Sequence, residues 1–194
     1  MNGLTFDRRE LFDYVAAWLA LGVAFTLFFE REILSNPALL FSGALALNLL
    51  TVGVAFLLHE LAHKVVAVHF DQVAAFRADY GMLFVAIMGG AVGFVFAAPG
   101  AVHHRGWLSE REGGLIALAG PATNVALVPV FVVISLVEPA LWRGVWVNAL
   151  LAAFNLIPFG ALDGKTVLNW SKPAYAGSMV LALTVGAGVF LLSP

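Results

Sequence analysis

Two histidines four residues apart with a glutamate beside the first, His59-Glu60-Leu61-Ala62-His63, set up hydrolytic metal chemistry. On a helix, residues i and i+4 share a face, so both imidazoles can aim a nitrogen at one tetrahedral Zn²⁺ while Glu60 stands next to the metal as general base. The setting is not that of a soluble hydrolase. No charged residue occurs from Ile33 to His59, and an ionisable group at the end of such a run is costly unless it is functional or paired. The plainer alternative, two interfacial histidines on a helix end, leaves Glu60 unexplained.

A catalytic zinc site takes three protein ligands and keeps a fourth position for water. The chain has no cysteine, so the third ligand must be His, Asp or Glu, and disulfides are excluded. The candidates are Asp163, Asp71, Asp79, Glu112, His69, His103 and His104. His69 falls ten residues after His59 and is rotated off the shared face. His103 and His104 adjoin Arg105 at an expected membrane boundary, and Asp71, Asp79 and Glu112 sit in short polar segments where a solvated carboxylate needs no explanation. Asp163 differs: it follows an uncharged run from Gly144 to Leu162, expected to be helical, and Gly164 behind it permits a sharp turn that could aim the carboxylate inward. Two more polar islands lie in apolar sequence. Gly120-Pro121-Ala122-Thr123-Asn124 breaks the start of one helix, and Asn155 stands about two turns before Asp163. Asn148 reads as a helix–helix contact.

Positioning these groups falls to a membrane protein. Hydrophobic residues make up 61% of the 194 and charged residues 11%, more apolar surface than one soluble core can hide. A net charge of −2 with no basic tract argues against a nucleic-acid partner. Uncharged stretches run from Tyr14 to Phe29, Ile33 to His59, Tyr80 to His104, Gly113 to Val137, Gly144 to Leu162 and Pro173 to Pro194. Four of the six qualify as spans, the first is short, and the third is long enough but of doubtful character. The first reads as a retained anchor instead of a cleaved signal. The third contains Gly81, Gly89, Gly90, Gly93 and Gly100, a β-prone segment from Val92 to Phe96 and a Pro99-Gly100 turn; it is expected to be a re-entrant β-hairpin. With the N-terminus in the cytoplasm and that stretch returning to its own side, eight basic residues (Arg8, Arg9, Lys64, Arg77, Arg105, Arg111, Lys165, Lys172) fall inside and two (Arg31, Arg143) outside. If the stretch spans, the bias disappears. The expected class is therefore a mainly α-helical, polytopic transmembrane bundle with a membrane-embedded β-hairpin between the zinc-motif helix and the next helix, multi-pass in the cell membrane and opening to the cytoplasm.

The order and spacing of these elements resemble the site-2 protease family of intramembrane zinc metalloproteases. His59-Glu60-Leu61-Ala62-His63 resembles its zinc and base motif, Gly120 to Asn124 its Gly-Pro-x-x-Asn element, and Asn155 through Leu162-Asp163-Gly164 its Asn-Pro-x-Pro…Leu-Asp-Gly element, with Leu156 where the family has the first proline. The likeness covers roughly residues 39–166, with further spans near 14–29 and 173–192 in one membrane domain of 1–194. It resembles the compact archaeal and bacterial members, without added regulatory domains. The resemblance implies one zinc ion held by His59, His63 and Asp163, Glu60 as base, Asn124 and Asn155 lining the site for substrate backbone or oxyanion, and a single-span membrane protein as substrate. The rival reading is a zinc-binding membrane protein without protease activity, either inactive or a metal transporter. No internal repeat of the transporter kind is present, and Glu60 is retained.

Overall fold

The computed structural model describes residues 3–41, 43–94 and 99–193. Helices dominate: α1 (Arg8–Phe29), α2 (Ala44–Asn48), α3 (Val54–His69), α4 (Tyr80–Val92), α5 (Glu110–Ser135), α6 (Trp142–Asn155), α7 (Asp163–Trp170) and α8 (Lys172–Leu192), with two short strands, β1 (Val73–Ala78) and β2 (Gly100–Arg105), paired to each other. A π-turn at Leu49–Gly53 joins α2 to α3, so Ala44–His69 runs as one helix. Four helices are long and apolar enough to cross a bilayer: Arg8–Phe29, Ala44–His69, Glu110–Ser135 and Lys172–Leu192. The protein is a multi-pass membrane protein.

The chain divides into two compact units, residues 5–57 with 75–103, and residues 3–4, 58–74 and 104–193. In the first, α1 is longer than its uncharged stretch because it begins at Arg8 and takes Glu10 and Asp13 with it, both buried. These acids are affordable because β1 and α4 supply partners: the Phe76 N–H donates to Glu10 Oε1 at 3.0 Å and the Tyr80 hydroxyl donates to Asp13. The core gathers Tyr14, Ala17, Leu21, Phe56, Phe76 and Leu83, with the Tyr14 and Phe76 rings stacked at 4.5 Å. Close approach of α1 and α4 depends on Gly90, where a Cβ would strike the Ala24 carbonyl.

The segment expected to form a hairpin is built differently. Residues 80–92 are helical, because Asp79 caps their N-terminus by accepting from the Met82 N–H at 2.9 Å, and Gly93 ends the helix in a left-handed conformation. The two strands lie on either side of α4, at 73–78 and 100–105. Of the expected strand Val92 to Phe96, Val92 belongs to α4 and residues 95–98 lie outside the described residues. The two ends of the excursion nonetheless meet, the Asp79 N–H donating to the Pro99 carbonyl at 2.9 Å.

In the second unit, α5, α6 and α8 pack around Val128, Phe131, Val145, Ala149 and Val189, with Gly144 pressed against the Phe131 ring. The run from Gly144 to Leu162 is not a spanning helix ending at Asp163. Helix α6 stops at Asn155 after 14 residues, about 21 Å at 1.5 Å per residue, because Pro158 disfavours helix at the residue before it and Gly160 turns the chain with φ +61°. Asp163 opens α7 instead. Gly164 serves close packing and not the turn: a Cβ there would collide with the Leu156 backbone. Leu156, which stands where the resembled family has its first proline, is buried against Ala152 and Ala182, and its N–H donates to the Ala152 carbonyl at 3.3 Å, which a proline could not do.

Candidate metal centre

His59 and His63 occupy successive turns of α3 with side chains only 5% and 9% exposed. Asp163 reaches them from the first residue of α7: its Oδ2 lies 3.3 Å from His59 Nε2 and 3.4 Å from His63 Nε2. All three candidate ligand atoms fall within 4.8 Å of one another, and this is the metal-competent group found among the described residues. Two ligands about 2.0–2.2 Å from a tetrahedral zinc stand about 3.3–3.5 Å apart, so the two His–Asp separations match the edges of a zinc coordination shell.

Proton placement points the same way. His63 Nδ1 is 2.7 Å from the Ile116 carbonyl, which can only accept, so Nδ1 carries the proton. Nε2 is then the nitrogen that faces Asp163 Oδ2, a buried oxygen with no other hydrogen-bond partner among the described residues. His59 has the same arrangement, its Nδ1 2.6 Å from Asn124 Oδ1. Two imidazole nitrogens and a carboxylate oxygen converging on one point, with each Nδ1 engaged elsewhere, form the donor set that a divalent cation takes. The residues fit a zinc ion. Asp163, with 18% of its side chain exposed, is the most open of the three.

Helix α5 holds the histidines in place. Pro121 cannot donate to the Ala117 carbonyl and loosens the helix there, while the Ile116 carbonyl one residue earlier accepts from His63. At Gly120 a Cβ would stand 2.5 Å from Nε2 of both histidines, so only glycine leaves room for the converging nitrogens. Glu60 is 8% exposed, on the same helix as the two histidines.

The remaining residues singled out in the sequence have other places. Asn124 is fully buried and bonds to His59 and to Asn148. Asn155 is half-buried at the end of α6, its Nδ2 donating to Leu151 at 3.0 Å. His69, His103 and His104 are exposed, Asp71 sits in a left-handed turn with φ 57°, Asp79 caps α4, and Glu112 forms a capping box with Ser109. Two contributors escaped the sequence reading: the Ile116 carbonyl, which has no sequence signature, and Gly120, whose motif was visible but not its contact; Asn148, read as a helix–helix contact, does join α6 to α5 through Asn124.

Comparison with known proteins agrees with the geometry. No family model matches the chain and no solved structure matches it. The chain is 36% identical over 185 residues to a protein of Methanocaldococcus jannaschii named "Putative zinc metalloprotease MJ0611", covering 91% of this chain and 92% of that one. It is 28% identical over 173 residues to "Putative zinc metalloprotease YwhC" of Bacillus subtilis, covering 74% and 77%. An identity above one third, sustained over nine-tenths of both chains, places this protein in the site-2 protease-like zinc metalloprotease family.

Proposed function

We propose that the protein is an intramembrane zinc endopeptidase that hydrolyses peptide bonds within or beside the transmembrane segment of single-span membrane proteins. The observation that carries this reading is the convergence of His59, His63 and Asp163 on one ion-sized locus, the histidines being carried by a helix apolar enough to span a bilayer. In this reading those three residues hold a single zinc ion. When bound, zinc supplies Lewis acidity, polarising a carbonyl and lowering the pKa of water toward neutrality. Glu60 takes the proton from the attacking water and delivers it to the leaving amine. Asn124 works through His59, since its amide oxygen faces the imidazole and its amide nitrogen is engaged with Asn148. Asn155, half-buried at the end of α6, is proposed to meet the substrate backbone.

A helical substrate must unwind before its carbonyl can be attacked, and an unwound segment in hydrocarbon needs backbone partners. Strand addition to the β1–β2 pair meets that need. The Asp79–Pro99 bond and the alternation of strand residues direct the Phe76 N–H away from β2, where Glu10 occupies it. We therefore assign the substrate to the outer edge of β2. The charge distribution supports a cytoplasmic N-terminus and a cytoplasmic mouth to the site.

The test is cleavage of single-span substrates by purified protein in detergent, with and without a zinc chelator, comparing wild type with Glu60→Gln. The glutamine keeps the shape and cannot accept the proton, so zinc content should match wild type while turnover falls below detection. Equal turnover removes Glu60 from the role of base. Zinc transport without proteolysis would favour the rival reading.

A further inference from the structure

We propose that the π-turn at Leu49–Gly53 sets the angular phase of the zinc helix, and that Trp18, which lies against it, is a positioning residue that keeps it open. This inference rests on the zinc reading above and adds to it a control point earlier in the helix that carries His59 and His63.

An α-turn closes with an N–H reaching back four residues, whereas here the Val54 N–H reaches back five, to the Leu49 carbonyl. The wide turn therefore absorbs one residue without advancing the helix. Its neighbours account for it. The Trp18 indole N–H donates to the same Leu49 carbonyl at 2.9 Å, and an indole nitrogen can only donate. Gly53 makes the notch in which that ring sits, since a Cβ there would collide with Trp18 Cδ1 and Nε1. Thr51 Oγ1 donates back to the Leu47 carbonyl at 2.7 Å, a contact that bends helices. The residues before the turn are tied to α1 as well, through Asn48 Nδ2 donating to Thr26 Oγ1 at 3.1 Å.

Closing the turn into regular α-helix with every residue kept would rotate His59, Glu60 and His63 by about 100° relative to Asn48. For an imidazole nitrogen about 5–6 Å from the helix axis that is a displacement on the order of 8 Å, against a tolerance of about 0.2 Å in metal–ligand distance. Closure would also bring the Val52 side chain to the place of Gly53, against the indole. Trp18 thus opposes the closed turn twice, by holding the Leu49 carbonyl and by fitting only a glycine.

The experiment exploits the absorbed residue. Deleting Leu50, which is exposed, leaves the Leu49 carbonyl and the Val54 N–H four residues apart, so the same bond becomes an α-bond and the phase beyond it is kept. Inserting one alanine after Leu50 instead turns everything beyond it by about 100°. In a regular helix the two changes would be equally damaging. The full chain is used in detergent, with zinc affinity measured by chelator competition. Phase is read separately, in metal-free protein, from single cysteines: Val66→Cys, at a half-buried position, should react with a maleimide and Ala67→Cys, at a fully buried one, should not. The deletion should keep that pattern and an affinity close to wild type. The insertion should reverse the pattern, since each residue takes the place of the next, and should weaken zinc binding at least about 100-fold. Trp18→Phe, which removes the N–H and keeps a ring, should weaken zinc binding about 2- to 10-fold with Leu50 present, the worth of one hydrogen bond, and not at all in the deletion, where no second register is left. A merely structural indole would act alike in both. If deleting Leu50 prevents folding, deleting Thr51, which also leaves Leu49 and Val54 four apart, serves in its place. Loss of zinc from a folded deletion overturns the proposal, as do equal losses from Trp18→Phe in both backgrounds. Failure of wild type to bind zinc would instead strike the metalloprotease reading, and the cysteine pattern would still decide this one.

Discussion

Gly120→Ala isolates the geometry of the metal centre from the stability of the fold. In a helix interior, alanine for glycine gains roughly 0.5–1 kcal/mol, so α5 itself should not suffer. The new methyl, however, would lie 2.5 Å from Nε2 of both His59 and His63, whereas ordinary contact begins at 3.4 Å. One or both nitrogens must retreat by as much as ~0.9 Å, against a tolerance of about 0.2 Å in metal–ligand distance. They cannot retreat cheaply, because His63 is tied to Ile116 and His59 to Asn124, and both partners belong to α5, the helix that carries the methyl. Zinc affinity should fall by at least about 100-fold, close to 2.8 kcal/mol, the upper end of what losing an outer-shell partner costs. The assay is competition with a chromophoric chelator on purified protein, beside thermal unfolding of the metal-free form. Gly113→Ala is the control, being in the same helix with nothing within 4 Å of its Cβ. Wild-type zinc affinity in Gly120→Ala would refute the arrangement of nitrogens described here.

Legibility in the sequence followed the physics of each signal. His59 and His63 could be paired from their spacing because helical periodicity is local and fixed, and the structure does put both imidazoles on one locus. Asp163 could be suspected from its isolation after an apolar run, but the reason given was partly mistaken. Asp163 begins a helix instead of ending one, and it is Pro158 and Gly160 that break α6. The segment at 80–92 misled because its glycines weaken a helix signal while its β-branched and aromatic residues favour a strand, whereas Asp79 caps a helix there. The α1 boundary was hidden for a related reason: Glu10 and Asp13 look like the end of a membrane helix until their long-range partners at Phe76 and Tyr80 are known. Charge counting carried the same weakness, since Lys64, tallied among the residues facing the cytoplasm, is fully buried. Asn148 was legible as a helix–helix contact but not in its partner, because Asn124 lies on another helix and distant in sequence.

Four further expectations discriminate among the residues. Asp163→Ala should lose zinc, while Asp71→Ala, Asp79→Ala and His69→Ala should retain it, with Asp79→Ala costing about 1 kcal/mol of stability through its lost cap; metal content and unfolding of each variant decide. Ala78→Cys and Ala101→Cys, introduced singly into this cysteine-free chain, should be labelled from the same side of the membrane, because β1 and β2 are paired; labelling from opposite sides would refute the return of the chain. The Arg77 guanidinium, 2.8 Å from Asp7, holds that carboxyl below the usual aspartate range, so its contribution is complete above about pH 4 and fades as pH falls through the lowered value. Wild type and Asp7→Asn should therefore converge in stability on acidification, and a gap that widens would reverse the sign. The last expectation concerns Glu10, 1% exposed, whose carboxylate accepts from the buried Phe76 N–H on the side of β1 away from β2. Glu10→Ala leaves that N–H without its acceptor and should cost roughly 1–3 kcal/mol, whereas Glu10→Gln keeps an oxygen in place and should cost less. The same substitution uncovers part of the outer edge of β1, so a substrate strand that pairs with β2 should be cleaved by surviving Glu10→Ala enzyme at a rate close to wild type. A large gain in cleavage would mean that substrate uses β1 and that Glu10 had been restraining it, which would overturn the choice of edge while leaving the metal centre untouched.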